Sequence, residues 1–382
     1  MNASPEAQGL CLLLASFLLS AALIPGIIRL AVSRGWLDAP GERKVHRDPV
    51  PRLGGVAIFV ATWLCWGVFA WQYPDIIPYE AGRSFIALFV ASSLVWALGV
   101  YDDLVGANAY KKLAVQSVAA TIVIVYGINI RILFNPIGGG DILIGDSGWV
   151  FLISFVWIIV VTNAINLIDG IDGLAGGVCL ITALTLYFIS RDLGIPHLPF
   201  FSLAVAGASG GFLIFNFSPA RIFLGDSGSL FLGFTLACLS IMGTVKRSTA
   251  IVMFGPPLIL ALPVVDTLFA ISRRFLKKLG NNDQTAMQAL FHPRNLLIRF
   301  KEVFVADQEH IHHGLLKYGL SHRKAVIVLY LVTAVLGRLA YVTALQKHLL
   351  GTAIVGIVLS LGLWFLIRRS RHRVLSQSKE VD

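Results

Sequence analysis

Charged residues are scarce in this sequence. Asp, Glu, Lys and Arg make up 14% of the 382 residues, against roughly 25% in an ordinary soluble domain. Apolar types reach 56%, and the mean hydropathy is +0.77. This balance excludes a soluble globular enzyme and a disordered chain, and it indicates a polytopic membrane protein.

Cysteines are few, and a basic segment at the N-terminus is lacking. Cys11, Cys65, Cys179 and Cys238 all lie in apolar runs and show no CxxC spacing. We therefore expect buried, unreactive thiols rather than disulfides or metal ligands. No Lys or Arg precedes Arg29, so the basic region of a signal peptide is missing, and we expect the first apolar run to remain as a membrane span.

Eleven apolar runs are long enough to cross a bilayer, which takes about 20 residues. They cover residues 9–33, 53–72, 84–101, 112–129, 149–166, 174–190, 198–216, 228–244, 249–272, 325–342 and 348–367. The predicted fold is therefore a single all-α transmembrane domain over residues 1–382. An odd number of spans places the two termini on opposite sides of the membrane.

Basic residues set the orientation, because cytoplasmic loops carry an excess of Lys and Arg. With the N-terminus outside, 24 of the 31 Lys and Arg residues face the cytoplasm. This predicts a cytoplasmic C-terminus with a basic tail at 368–382, and a large cytoplasmic loop at 273–324 that carries one short interfacial helix. The external stretch 130–148 predicts a small β-hairpin around its glycines.

Acidic residues near the membrane core gather on the predicted cytoplasmic side, although burying a carboxylate there is unfavourable. They are Asp102 and Asp103 after the third span, Asp169 and Asp172 after the fifth, and Asp226 before the eighth. Asp169 and Asp172 would share one face if the turn that contains them is helical. Since the topology rests on Lys and Arg alone, this convergence independently indicates one polar site.

The last cytoplasmic loop adds histidines to this group, in the segment EHIHH at 309–313. Clustered carboxylates suit Mg²⁺, which binds one or two protein groups, waters and substrate phosphates. Histidines, Lys112 and the basic segments can hold phosphate oxygens. The residues alone therefore predict a metal-assisted reaction on a diphosphate, with a lipid as the other substrate and Mn²⁺ as a substitute for Mg²⁺.

The tetrapeptide GDSG occurs twice, at 145–148 and at 225–228. The predicted topology places the first copy outside, so Asp146 should be an ordinary turn residue. The second copy faces the other acids, so Asp226 should belong to the site.

Four segments, in this order and spacing, resemble the polyprenyl-phosphate N-acetylhexosamine-1-phosphate transferases: GVYDDLVG, NAINLIDGIDGLAGG, IFLGDSGS and EHIHH. PRLGG at 51–55 and KLAVQ at 112–116 are also similar, so the resemblance runs from about residue 34 to 324. It implies transfer of a sugar-1-phosphate from a UDP-sugar to a polyprenyl phosphate, with release of UMP. The HxHH form is similar to the bacterial branch that uses UDP-N-acetylglucosamine and undecaprenyl phosphate, at the first lipid-linked step of a cell-envelope glycopolymer.

The resemblance also implies roles for residues. Asp226 would be the main Mg²⁺ ligand, with Asn166 as the second, and Asp169 would serve catalysis or nucleotide placement. Asp102 or Asp103 could deprotonate the lipid phosphate. A direct displacement and a two-step route through an aspartyl phosphate both fit the sequence.

Further matched positions would bind the donor. Phe223 would stack on the uracil, Asp172 would form a hydrogen bond with the uracil ring, and Lys112 would lie near the phosphates. The donor diphosphate would be held by the three histidines His310, His312 and His313.

Several alternatives stay open. The stretch 277–309 lacks the short GxSPF-like segment of relatives, so another UDP-HexNAc or a phospho-MurNAc-pentapeptide donor also fits. A transporter of anionic or lipid-linked solutes is the rival outside enzymes, although only Asp266 lies clearly within a predicted span. We expect the inner (plasma) membrane, an active site on its cytoplasmic face and no nucleic-acid partner. The oligomeric state, a homodimer included, is open.

Overall fold

The computed structural model describes residues 4–38, 49–133, 142–143, 148–243 and 320–346, together with residues 260, 264 and 315. The described segments form nine long α-helices. These are α1 (Pro5–Arg34), α2 (Gly54–Gln72), α3 (Tyr79–Val105), α4 (Ala109–Val125), α5 (Gly148–Ile168), α6 (Leu174–Asp192), α7 (Leu198–Asn216), α8 (Gly225–Met242) and α9 (His322–Gln346).

These helices confirm a polytopic, all-α membrane protein. Eight of them are long and apolar enough to cross a bilayer, and α4, with 17 residues, lies at the lower limit of about 17 residues for a span. All nine coincide with predicted spans. The predicted spans 249–272 and 348–367 lie outside the described residues, so the count of eleven and the orientation of the termini stay predictions.

Short antiparallel β pairs connect some of the helices. Strand β1 (Leu37–Asp38) pairs with β2 (Val50–Pro51), after α1 and before α2. Strand β3 (Ile132–Leu133) pairs with β4 (Ile142–Leu143). The second pair confirms the predicted hairpin, although its central glycines lie outside the described residues.

Helices α7 and α8 lie at the centre of the bundle, where nearly every side chain of α8 is buried. Helix α7 packs against α1 and α6, while α8 packs against α3 and α5. At the periphery, α1 exposes Leu10, Leu14 and Leu18 along one side. An apolar exposed stripe of this kind is suited to contact with lipid.

The expectation of buried thiols is wrong for one of the four cysteines. Cys179 and Cys238 are buried and Cys65 is partly buried, but Cys11 is exposed on α1. It lies on this peripheral helix beside the exposed Leu10. A thiol behaves as a small apolar group, so in a membrane protein it can face lipid as well as the protein core.

Alternating helix directions bring the polar motifs to one end of the bundle. At this end, which we call the site end, α3 and α5 finish and α4, α6, α8 and α9 begin. At the site end, the Tyr330 hydroxyl on α9 donates a hydrogen bond to the Gly173 carbonyl. The Gly173 amide donates one to the side-chain oxygen of Asn216, at the end of α7. Tyr126, at the end of α4, and Ser84, near the start of α3, form a hydrogen bond at the opposite end.

Candidate active site

Lys112 forms the centre of the cluster at the site end. Its ammonium group lies 2.8 Å from the Asp102 carboxylate and also pairs with the Asp226 carboxylate. Asp102 comes from the end of α3, Lys112 from the first turns of α4 and Asp226 from the start of α8. The three side chains keep between 17% and 23% of their surface exposed, so an incoming ligand can reach them.

Asn166, near the end of α5, lies on the other side of Asp226. Its amide nitrogen donates to Asp226 at 3.1 Å and to the Ser229 hydroxyl at 2.8 Å. Among the described residues, no donor contacts the amide oxygen of Asn166. The predicted pair of metal-binding residues is therefore in direct contact.

Asp169 and Asp172 lie in the turn between α5 and α6, which is not helical. Asp172 accepts a hydrogen bond from the Ala220 amide at 3.0 Å, which ties this turn to the loop before α8. Desolvation, with the negative charges of Asp226 and Asp103, raises the pKa of the Asp169 carboxyl well above its ordinary value. A positive charge close to Asp169 would therefore stabilise its ionised form.

Phe223 is half-buried in the loop that leads into α8. Its amide donates to the Pro51 carbonyl at 2.8 Å, and its own carbonyl accepts from the Gly54 amide at 3.0 Å. The Leu224 carbonyl accepts from Gly55 at 3.0 Å. The PRLGG segment therefore fixes the backbone of the predicted uracil-stacking residue and of the residues just before Asp226.

Sequence reasoning gave no role to Arg52, which lies within this same segment. Its guanidinium pairs with the Asp38 carboxylate on β1 at 2.6 Å. Its positive charge lowers the pKa of Asp169 and so partly offsets the effects of desolvation and of the nearby carboxylates. The signal was available in the PRLGG resemblance, but spacing along the chain could not show that Arg52 comes near the acids.

The donor set fits a hard divalent cation that is held mainly by substrate. Within the described segments, no three His, Cys, Asp or Glu side chains converge as a complete metal-binding group. Asp226 and Asn166 are nevertheless in direct contact, Asp169 follows in the turn after α5, and all three side chains carry oxygen atoms of the kind that Mg²⁺ prefers. Mg²⁺ commonly uses one or two protein ligands together with waters and phosphates, so these residues suit it.

Most of the predicted site residues therefore meet at the site end. Asp102, Asp103, Lys112, Asn166, Asp169, Asp172, Phe223 and Asp226 all lie there. The predicted histidines His310, His312 and His313 lie outside the described residues, as do Asp146 and Asp266. The chemical roles assigned to the residues stay predictions.

Lys112 and its neighbour Lys111 provide a matched test of this cluster. Lys111 is exposed and lies over the Tyr101 ring, 5.6 Å from its centroid, whereas Lys112 neutralises two carboxylates. We expect Lys112→Ala to lower turnover by about 100-fold and Lys111→Ala to leave it within about twofold. Initial rates of the purified variants, at equal folded protein, would check this. Equal rates for the two variants would contradict the site.

Fold and geometry together define a class: a polytopic membrane protein with a cluster of acids, one lysine and an amide at one end, suited to phosphate chemistry. The model of the family described as "Glycosyl transferase family 4" matches residues 85–244. This stretch contains every contact between Asp102, Lys112, Asn166 and Asp226.

Relatives extend the match over most of the chain. The "Probable undecaprenyl-phosphate N-acetylglucosaminyl 1-phosphate transferase" of Bacillus subtilis (strain 168) is 35% identical over 318 residues, which cover 83% of this chain and 80% of the relative. The decaprenyl-phosphate N-acetylglucosaminephosphotransferase of Mycobacterium tuberculosis (strain ATCC 25618 / H37Rv) is 34% identical over 341 residues, covering 82% and 78%. The undecaprenyl-phosphate alpha-N-acetylglucosaminyl 1-phosphate transferase of Yersinia pestis is 24% identical over 331 residues, covering 85% and 82%.

The chain belongs to the polyprenyl-phosphate N-acetylhexosamine-1-phosphate transferases of glycosyl transferase family 4. The resemblance drawn from the motifs is confirmed. The protein is a glycosyl-1-phosphate transferase and not a transporter, which was the alternative outside enzymes. The acid and lysine cluster accordingly becomes the candidate active site.

Proposed function

We propose that this protein transfers N-acetylglucosamine 1-phosphate from UDP-N-acetylglucosamine to undecaprenyl phosphate and releases UMP. The observation that carries the proposal is the meeting of Asp102, Lys112 and Asp226 at one end of an apolar bundle. The names of the relatives support the sugar and the polyprenyl acceptor. The uridine part rests on the matched positions of Phe223 and Asp172. Asp172 bonds the Ala220 amide in the loop before α8, three residues before Phe223.

The proposed chemistry is a direct displacement at phosphorus. An oxygen of the lipid phosphate attacks the β-phosphorus of the UDP-sugar, and the bond from that phosphorus to the bridging oxygen breaks. UMP leaves with the bridging oxygen, and the sugar phosphate stays on the lipid through the new bond. Both reactants are anions, so neutralising and positioning them is the main task of the site.

The described side chains divide this task. Lys112 supplies positive charge where the phosphates arrive, and Asp102 keeps its ammonium in place. Asp226 and Asn166 would hold Mg²⁺, with Asp169 beside them. When bound, Mg²⁺ stabilises the negative charge of the diphosphate and of the leaving UMP.

A strong base is not required for the acceptor. The second pKa of a phosphate monoester is near 6, so much of the lipid phosphate is already ionised near neutral pH. Asp102 is paired with Lys112, and Asp103 is bonded to the backbone of α8. Proton removal therefore contributes less than charge neutralisation in this proposal.

We place the reaction at the cytoplasmic face of the inner (plasma) membrane. The support is the charge distribution: the site end contains the residues that the excess of Lys and Arg assigns to the cytoplasm. The product would begin a lipid-linked cell-envelope glycopolymer.

A donor panel tests this function. Purified protein is given undecaprenyl phosphate, Mg²⁺ and one donor at a time: UDP-GlcNAc, UDP-GalNAc or UDP-MurNAc-pentapeptide. We expect UMP and the lipid product to form fastest with UDP-GlcNAc, by about tenfold or more, and excess chelator to stop turnover until Mg²⁺ or Mn²⁺ is restored. Preference for the pentapeptide donor would overturn the substrate, and full turnover in chelator would overturn the metal.

A further inference from the structure

Asp103 uses both of its carboxylate oxygens on the backbone of α8. Oδ1 accepts a hydrogen bond from the Asp226 amide at 2.8 Å, and Oδ2 accepts one from the Ser227 amide at 3.0 Å. These amides belong to the first turn of α8, where N–H groups have no partner within the helix. A negative charge at this position is also favoured by the helix dipole.

Gly99 lies one turn before Asp103 on α3 and allows the close contact with α8. A Cβ atom on Gly99 would come within 2.5 Å of the Asp226 carbonyl oxygen and of the Ser227 amide nitrogen. Helix α3 therefore contacts the backbone of Asp226 on two successive turns. It does so at the residue whose side chain pairs with Lys112 and Asn166.

The adjacent acids Asp102 and Asp103 have different partners. Asp102 binds the Lys112 ammonium through its side chain, whereas Asp103 contacts main-chain amides of α8. If Asp103 took a proton from a substrate, it would lose the negative charge that strengthens both of these hydrogen bonds and that the N-terminus of α8 stabilises.

We propose that Asp103 is a positioning residue and not the proton acceptor. It fixes the first turn of α8 so that the Asp226 carboxylate faces Lys112 and Asn166, and its effect on the metal passes through Asp226. For its effect on turnover, this inference rests on the proposed function.

Asp103→Asn tests the inference, because the amide keeps the size of the side chain but replaces one acceptor by an NH₂ donor. We expect turnover to fall by about 10- to 100-fold and the Mg²⁺ concentration for half-maximal activity to rise by about tenfold, as for lost support of a metal ligand. The acidic limb of the pH–rate profile should keep its position. A proton acceptor predicts the reverse: the acidic limb disappears and the Mg²⁺ requirement is unchanged.

Two glycine variants on α3 accompany this test. Gly99→Ala disturbs the same contact with α8, and Gly82→Ala is its matched control. Gly99→Ala adds no titratable group, but its Cβ would press on the backbone of Asp226 and Ser227. We therefore expect a lower melting temperature and, per folded protein, the same higher Mg²⁺ requirement as in Asp103→Asn. This variant separates the loss of the contact between α3 and α8 from the loss of a titratable group. A Cβ on Gly82 would meet nothing within 4 Å, so Gly82→Ala should behave as the wild type.

Amide hydrogen exchange over residues 224–229 provides a readout that needs no turnover. We expect exchange of the Asp226 and Ser227 amides to become at least about tenfold faster in Asp103→Asn and to stay unchanged in Gly82→Ala. Unchanged exchange in Asp103→Asn would overturn the positioning role. If the wild type itself releases no UMP from any donor, the proposed function is refuted. Faster exchange in Asp103→Asn would still support the positioning role in that case.

Discussion

Asp226→Ala is expected to lower turnover by about 1000-fold or more, while Asp146→Ala keeps most of it. Asp226 joins Lys112 and Asn166 in one cluster, and removing it takes away both a proposed Mg²⁺ ligand and one of the two carboxylates that pair with the Lys112 ammonium group. Losing one preorganised electrostatic group commonly costs about 100- to 1000-fold in rate, and the loss of the ion adds to that.

The second variant is a control inside the same chain, because both acids stand in the tetrapeptide GDSG. Gly148, the last residue of the first copy, begins α5, whereas Asn166 lies near the end of that helix and bonds Asp226. A helix of 21 residues is about 30 Å long. Rates of UMP release at equal protein level and equal melting temperature would compare the variants, and similar losses in both would refute either the topology or the site.

Gly55→Ala should prevent the native packing at the site end. A Cβ atom on Gly55 would lie 2.0 Å from the Gly228 amide nitrogen and 2.4 Å from its Cα atom, and backbone atoms in a packed helix cannot move aside. We expect a loss of stability of roughly 3 kcal/mol or more, seen as a clearly lower melting temperature in detergent and little active protein. The distortion also reaches Asp226, two residues before Gly228.

Gly67→Ala, on the same helix α2, is the matched control. Gly67 is exposed, and a Cβ atom there would meet nothing within 4 Å. Because alanine is favoured over glycine in a helix by about 0.5–1 kcal/mol, this variant should be as stable as the wild type or slightly more so. A melting temperature for Gly55→Ala equal to that of Gly67→Ala would contradict the described contact between α2 and α8.

The nine described helices and the gathering of the acids at one end were predictable, because each depends on local composition. An apolar run of sufficient length shows a helix without knowledge of its neighbours, and parity of the spans then assigns Asp102, Asp169 and Asp226 to one side. The exposed Cys11 was not predictable, because the same apolar run fits a helix that faces protein or lipid.

The division of labour within the site was also beyond the sequence. Asp102 and Asp103 are adjacent and chemically identical, yet one pairs with Lys112 and the other with the backbone of α8. That difference depends on the rotation of α3 and on its close approach at Gly99. Asp172 likewise bonds the distant Ala220 amide instead of sharing a face with Asp169. Such long-range contacts leave no periodic signal in the chain.

Sidedness labelling tests whether one end of the bundle carries both the acids and the histidines on the cytoplasmic side. Single cysteines replace the exposed Arg221 beside α8, His312 in the predicted cytoplasmic loop, and the exposed Tyr126 at the opposite end, in a background whose four native cysteines are replaced. An impermeant thiol reagent should modify positions 221 and 312 only in inside-out vesicles, and position 126 only in right-side-out vesicles. Modification of positions 221 and 312 from opposite sides would show that the acids and the histidines do not share one site.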